Sequence, residues 1–280
     1  MNINGISFRW LNGQCFEIKL SNGKTIITDP MLRDPLLGIE KGAQYRIPDF
    51  SIDEITGADY IIVNHSHGDH VIDLGVLAKK FNSTVICHEA AAYEIARVFD
   101  LLPTNVFPVA SNDVYYFDDF KLETFHGMHR KLRSTISGGR DMVKETFGVE
   151  GLAYLGDLGS LFNVNFVLTT NENIRIGFSA GDYFGDTARK WQDVHPNIVL
   201  RHRLNKGPQA PLMFADVLEK TGAQLLIPMH HEDWVYSEPG YTEKVVDEVN
   251  AIMENKGIAG RALAPQRCKW YELSMSVSLK

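Results

Sequence analysis

The stretch Asn64–His70 reads NHSHGDH, with three histidines and one aspartate between His65 and His70. Imidazole nitrogens and carboxylate oxygens are ligands for Zn²⁺ and similar first-row cations. In extended chain, side chains two residues apart point the same way, so His65 and His67 can grip one ion. Gly68 allows the chain to turn tightly after them. Asp69 and His70 are adjacent at the start of a helical pattern and can diverge toward a second ion. A coincidental polar loop would account for one histidine, but not for four ligand-type residues spaced H-x-H-x-D-H. A catalytic metal site keeps a position open for water, so these residues need partners from elsewhere in the chain but not full closure.

The elements around the motif explain how it is placed. The apolar run YIIVN before it predicts a short buried strand, and VIDLGVLAKKF after it has helical spacing at Val71, Leu74, Leu77 and Ala78. Upstream, SFRWLNGQCFEIKL alternates apolar and polar residues, SNGK supplies a turn at Asn22-Gly23, and TIITDP returns as a strand. STVICH reads as a strand, EAAAYEIARVF as a helix, and VYYFDDFKLETF as a hairpin around Asp118-Asp119. Later, LFNVNFVL and IRIGFSA read as strands, PLMFADVLEKTG as a helix, QLLIPM as a buried strand, YTEKVVDEVNAIMENKG as a helix ended by Gly257, and KWYEL as a closing strand. Residues 130–150 are basic and weakly periodic and read as an irregular surface excursion. No linker or low-complexity tract divides the chain. The expectation is one domain over 1–280, with two similar halves of about 1–150 and 151–280. The fold class is α/β (α+β), a four-layer αββα sandwich.

The composition narrows the function classes. The chain has 280 residues, 44% hydrophobic and 22% charged, which suits a folded domain with a sizeable core. Its formal net charge of −7 argues against nucleic acid as a partner. Cys15, Cys87 and Cys268 are scattered and odd in number, which points to a reducing compartment; Cys15 and Cys87 read as core residues. No secretory leader or bilayer-length apolar run is visible, so the expectation is a cytoplasmic chain with no membrane partner, with a homo-oligomer left open.

HSHGDH after a buried strand resembles the H-x-H-x-D-H signature of the metallo-β-lactamase superfamily. WLNGQCFEI…GKTIITDP is similar to the opening hairpin of its ascorbate-6-phosphate-lactonase-like branch, GFSAGDYFGDT to the strand ending in a bridging aspartate, and LLIPMHHED to the strand ending in the last histidine. The resemblance implies the same αββα sandwich with a dinuclear site at the strand ends. Carried onto this chain, His65 and His67 hold one ion with a third histidine. Asp69, His70 and His230 hold the other, and Asp182 bridges them. FHGMHR offers both His126 and His129 as the third histidine. The Gly127-Met128 step favours His129 and leaves His126 as a pocket residue. Asp186 competes with Asp182 for the bridging place, and His231 follows His230 at a position often held by tyrosine. Asp29 in TDP reads as structural, holding the loop near the metal site. His88 and His195 read as ordinary strand-end or loop histidines.

Two such ions can share a hydroxide that is nucleophilic at neutral pH, while they polarise a carbonyl or phosphoryl oxygen. Asp69 or Asp182 can then pass a proton to the leaving group. The expected activity is hydrolysis of a small lactone or phosphodiester-type substrate, with two divalent ions, zinc first and manganese or iron as alternatives. A ribonuclease Z-like nuclease and a non-hydrolytic iron or redox member of the fold are the competing readings. The acidic chain speaks against the first. His67, where flavodiiron proteins carry glutamate, speaks against the second. Two basic stretches, RKLRSTISGGR and RHRLNKGPQAPLM, follow ligand-bearing segments. They predict an anionic substrate held by Arg201, His202 and Arg203, with His126 and His231 nearby.

Overall fold

A computed structural model describes residues 5–32, 50–128, 151–181, 185–203 and 207–273. Along the buried strands neighbouring apolar residues face opposite ways, and both faces are covered. Ile26, Ile62 and Ile86 point into the space between the two sheets, and Ile27, Ile61 and Val85 point outward under helices. Phe166, Leu200 and Ile227 repeat the pattern from the second sheet, with Val167, Val199 and Leu226 on its outer face. Continuous apolar runs such as YIIV and QLLIPM are what strands buried on both faces require. Each fully buried Val, Leu or Ile contributes about 1.5–3 kcal/mol relative to exposure.

The first sheet has the order β14-β1-β2-β3-β4-β5-β6. Its strands are β1 (Ile6–Asn12), β2 (Cys15–Lys19), β3 (Thr25–Thr28), β4 (Tyr60–Ile62), β5 (Thr84–His88), β6 (Val106–Val109) and β14 (Tyr271–Leu273). The second sheet has the order β13-β12-β11-β10-β9-β8-β7. It contains β7 (Val114–Tyr116), β8 (Phe120–Gly127), β9 (Asn163–Thr170), β10 (Arg175–Ser179), β11 (Ile198–His202), β12 (Leu225–Met229) and β13 (Arg261–Ala262). In the first sheet, β14 through β3 pair antiparallel and β3 through β6 parallel. In the second, β7 through β10 pair antiparallel and β10 through β13 parallel.

The outer layers are helical. Against the first sheet lie α2 (Leu74–Phe81), α3 (Glu89–Phe99) and α4 (Leu152–Leu161), preceded by the single turn α1 (Gly68–Val71). Against the second lie α5 (Gly185–Val194), α6 (Gln209–Thr221), α7 (Glu232–Ser237) and α8 (Tyr241–Asn255). The expected αββα sandwich is the observed architecture. Among the described residues no helix is long and apolar enough to cross a membrane.

Several local expectations are corrected. SFRWLNGQCFEIKL is itself a hairpin, β1 and β2, turning at Gly13, which has φ 51°. VIDLGVLAKKF does not begin as one helix. Asp73 separates α1 from α2, giving its N–H to Pro30 O at 3.0 Å and accepting Leu32 N–H at 2.8 Å on its carboxylate. RHR, read as part of a basic loop, is mostly strand, with Arg201 and His202 in β11. The sequence divides near residue 150, but the chain passes from one sheet to the other between Val109 and Val114. KWYEL crosses back to pair with β1. The 130–150 excursion lies outside the described residues.

Candidate metal centre

The chemistry-bearing residues gather where the parallel strands end. Asp29 follows β3, His65 follows β4, Gly181 follows β10, His202 ends β11 and His230 follows β12. Backbone groups beyond such strand ends are released from the ladder, so side chains there can converge on a common point.

The motif forms a compact nest of rings. The His65 ring centroid is 4.7 Å from that of His67 and 3.8 Å from that of His70, and the His70 centroid is 5.5 Å from that of His230. Ligand atoms of Asp69, His70 and His230 all lie within 4.8 Å of one another, the one such group among the described residues. These three residues are the set that the resemblance implies for the second ion. The donor set, two imidazoles and a carboxylate, suits a divalent first-row cation.

Each imidazole is oriented by a partner. Asp29 is the hub: one carboxylate oxygen accepts the Asn64 N–H at 2.7 Å and the other lies 3.1 Å from His70 Nδ1. A proton on Nδ1 leaves the His70 lone pair on Nε2, which is 3.6 Å from Asp69 Oδ2. His230 places Nε2 3.1 Å from Asp69 Oδ2 and Nδ1 2.8 Å from Glu232 Oε1. His65 Nδ1 is 3.2 Å from the side-chain oxygen of Asn64, whose amide N–H₂ donates to Val164 O. His67 Nε2 is 2.8 Å from the Ser160 hydroxyl.

Two backbone positions here adopt left-handed conformations that non-glycine residues rarely take. Asp29 has φ 35° and His230 φ 55°. Such residues cost on the order of 1–3 kcal/mol and persist where the surroundings over-determine them. The His230 N–H donates to Gly13 O at 2.8 Å and its carbonyl accepts from Arg203 Nε at 2.8 Å. The Asp29 N–H donates to Ile62 O at 3.0 Å. Both bends turn a side chain off the end of a strand and back toward the motif.

The electrostatics follow from burial and close pairing. Burial opposes ionisation of Asp69, but His70, His230 and His67 outweigh it and hold its carboxyl well below the usual range. Burial likewise opposes charge on His230, and Glu232 with Asp69 carries the balance well above the ordinary imidazole value. Glu232 resists its own burial through His230 and falls to about 2. Asp29 goes the other way: burial pushes it up, with His70 and the Asn64 N–H pulling against it. Burial lowers His202 well below the usual range and His231 to about 4.

The structure brings together His65, His67, Asp69, His70 and His230. His129 and Asp182 lie outside the described residues, as do Arg130, Lys131, Arg133, Arg140 and Lys206. The substrate-side expectations need correction. Arg201 is 1% exposed, and its Nη1 donates to Ser179 O at 3.2 Å and Gly181 O at 2.7 Å, bracing the end of β10 instead of facing a pocket. His231 is fully buried with its ring stacked 4.2 Å from Trp10, so it is part of the core. Arg203 is built into the His230 turn, with its guanidinium 5.9 Å from the Trp234 ring. His202 stands at the rim of the centre, its ring centroid 4.8 Å from that of His230. His126 is exposed on β8 and acts electrostatically on His88, whose own Nδ1 caps α3 at Ala90 N–H.

Sequence reasoning missed Glu232, Ser160 and the whole of α4. Glu232 carried a signal, a carboxylate two residues after a candidate ligand. Ser160 carried none, since it lies 93 residues from His67.

Known proteins agree with this fold. Residues 7–171 match the family model described as Beta-lactamase superfamily domain. A UPF0173 metal-dependent hydrolase of Methanobrevibacter smithii is 24% identical over 250 residues, covering 88% of this chain and 90% of that protein. Igni18, a metallo hydrolase from the hyperthermophilic archaeon Ignicoccus hospitalis, superposes with a TM-score of 0.64 at 12% identity, covering 96% of this chain and 99% of Igni18. An isothiocyanate hydrolase from Delia radicum gut bacteria gives a TM-score of 0.62 at 16% identity, covering 96% of this chain and 99% of its own. At these identities the two solved structures speak for the fold alone, whereas the family model spans more than half the sequence and includes the whole histidine motif: the chain belongs to the metallo-β-lactamase superfamily.

Proposed function

We propose that this chain is a metal-dependent hydrolase acting on a small, anionic lactone or phosphodiester-type substrate, with two divalent ions, zinc in first place. The observation that carries the reading is the convergence of the Asp69, His70 and His230 ligand atoms within 4.8 Å, beside His65 and His67. The names of the relatives support the hydrolase class, and the resemblance to the lactonase-like branch supports the substrate type. His65 and His67 would hold one ion and Asp69, His70 and His230 the other. His129 and Asp182 complete the set by resemblance alone. When bound, a divalent ion of this kind lowers the pKa of coordinated water toward about 7 and polarises the substrate oxygen.

The chain's own residues supply orientation and charge. Asp29, Asn64, Ser160 and Glu232 fix the rings of the histidines they touch. Asp69 stays ionised at neutral pH because imidazoles surround it, which suits its carboxylate to hold a cation; the same surroundings work against its taking up a proton for a leaving group. The anionic preference now rests on the basic residues after His129, because Arg201 is committed to backbone carbonyls.

The test is elemental analysis of protein expressed with added zinc, followed by a panel of lactones, bis(p-nitrophenyl) phosphate and an isothiocyanate. About two ions per chain are expected, with hydrolysis that a chelator abolishes and added metal restores. Well under one ion per chain after supplementation would refute the reading.

A further inference from the structure

The partners behind the histidines are of two chemical kinds. In the Asp69–His70–His230 group both imidazoles are backed by buried carboxylates: Asp29, 3% exposed, on His70 Nδ1, and Glu232, 5% exposed, on His230 Nδ1. Among the described residues, the group at His65 Nδ1 is the neutral Asn64 amide and the group at His67 Nε2 the neutral Ser160 hydroxyl. The second oxygen of Glu232 is buried and makes no hydrogen bond. The other oxygen lies 2.8 Å from His230 Nδ1, an ion-pair contact. A carboxylate buried in this way is costly for folding alone. The same carboxylate makes imidazole a stronger donor and is neutralised when a cation arrives, whereas an amide or hydroxyl chiefly orients the ring.

We infer that Glu232 and Asp29 make the Asp69–His70–His230 group the one that takes up a divalent ion first and holds it tighter, leaving the His65–His67 group as the weaker site. This rests on the metal-dependent reading above and adds an order of filling to it. Glu232 and Asp29 are positioning residues that act through His230 and His70.

The experiment is titration of chelator-treated full-length protein with Zn²⁺ against a chromogenic competitor, with circular dichroism to verify folding. The wild type is expected to bind in two steps of different affinity. Glu232→Gln keeps the shape and removes the charge. It should weaken the tighter step by about 10–100-fold and leave the weaker step in place. Asp29→Asn should act in the same direction, and either folded variant suffices. Ser160→Ala should weaken the weaker step alone. An unchanged tighter step in folded Glu232→Gln and Asp29→Asn, or a tighter step lost in Ser160→Ala, overturns the order of filling while the metal reading stands. A wild type that binds no ion overturns both.

Discussion

Gly159 offers a test of how the motif is held. Helix α4 lies directly on the HSHGDH loop. The Ser66 hydroxyl donates to Leu155 O at 2.6 Å, and Ser160 reaches His67 at 2.8 Å. A Cβ added at Gly159 would sit 2.7 Å from His67 N and 2.9 Å from both N and C of Ser66. These are backbone atoms and cannot swing aside. Ordinary contact begins at 3.4 Å. Helix or loop must therefore retreat by roughly 0.7 Å, an overpacking that costs about 1–3 kcal/mol. Against this, Gly→Ala inside a helix gains at most about 1 kcal/mol. The net expectation for Gly159→Ala is a loss of about 1–2 kcal/mol in urea unfolding of the chelator-treated protein. A motif shift approaching 1 Å should also lower kcat/KM by about 10–100-fold on any substrate found. Gly156, one turn earlier, is the control. Among the described residues a Cβ there meets only His67 Cδ2 at 4.0 Å, so Gly156→Ala should gain up to about 1 kcal/mol with activity intact. Wild-type stability and activity in Gly159→Ala, or equal damage from Gly156→Ala, would refute the claim that α4 sets the position of the motif.

Asp69→Ala and His70→Ala should both abolish turnover. Asp69 sits part-exposed on a single helical turn and should be lost with little effect on the fold, whereas His70→Ala also strips the buried Asp29 carboxylate of its imidazole and should cost stability as well. Near wild-type activity in either would sink the two-ion mechanism. Arg201→Ala should act on stability, by about 3 kcal/mol or more from a large void and two carbonyls without donors, and should change KM equally for neutral and anionic substrates. A selective KM rise for anions in a stable variant would restore Arg201 to the pocket. Arg9→Ala tests a buried ion pair far from the motif. Arg9 Nε donates to Glu17 at 2.6 Å, and burial raises the Glu17 carboxyl while Arg9 lowers it. Without Arg9 the carboxyl rises further. Stability is then fully present below the unfolded value near 4.3 and is lost as pH climbs through the native one, so the variant should lose about 3–5 kcal/mol at pH 7 and less at pH 4. Equal losses at both pH values would show that packing, not charge, is what Arg9 supplies.

What the sequence could show depended on the range of each interaction. The candidate ligands within HSHGDH are local, so their spacing alone marks them as one group, and the structure gathers their rings accordingly. The sheets were legible for a similar reason: YIIV and QLLIPM are apolar throughout because both of their faces are covered. Arg201 was misread because charge in a sequence signals solvent unless a partner is known, and its partners include the main-chain oxygens of Ser179 and Gly181, which no sequence pattern marks. Glu232 and Asp29 each stand near a candidate ligand or strand end in the sequence. What they do is set by contacts across the fold: Asp29 with His70, which is 41 positions away, and Glu232 with a His230 imidazole that also meets Asp69 from the other sheet. The ligands themselves can be read from one strand end at a time. Of the groups that touch the rings, Asn64 and Glu232 are near neighbours of their histidines in the chain, whereas Asp29 and Ser160 arrive from another strand or helix, and only packing brings those two there.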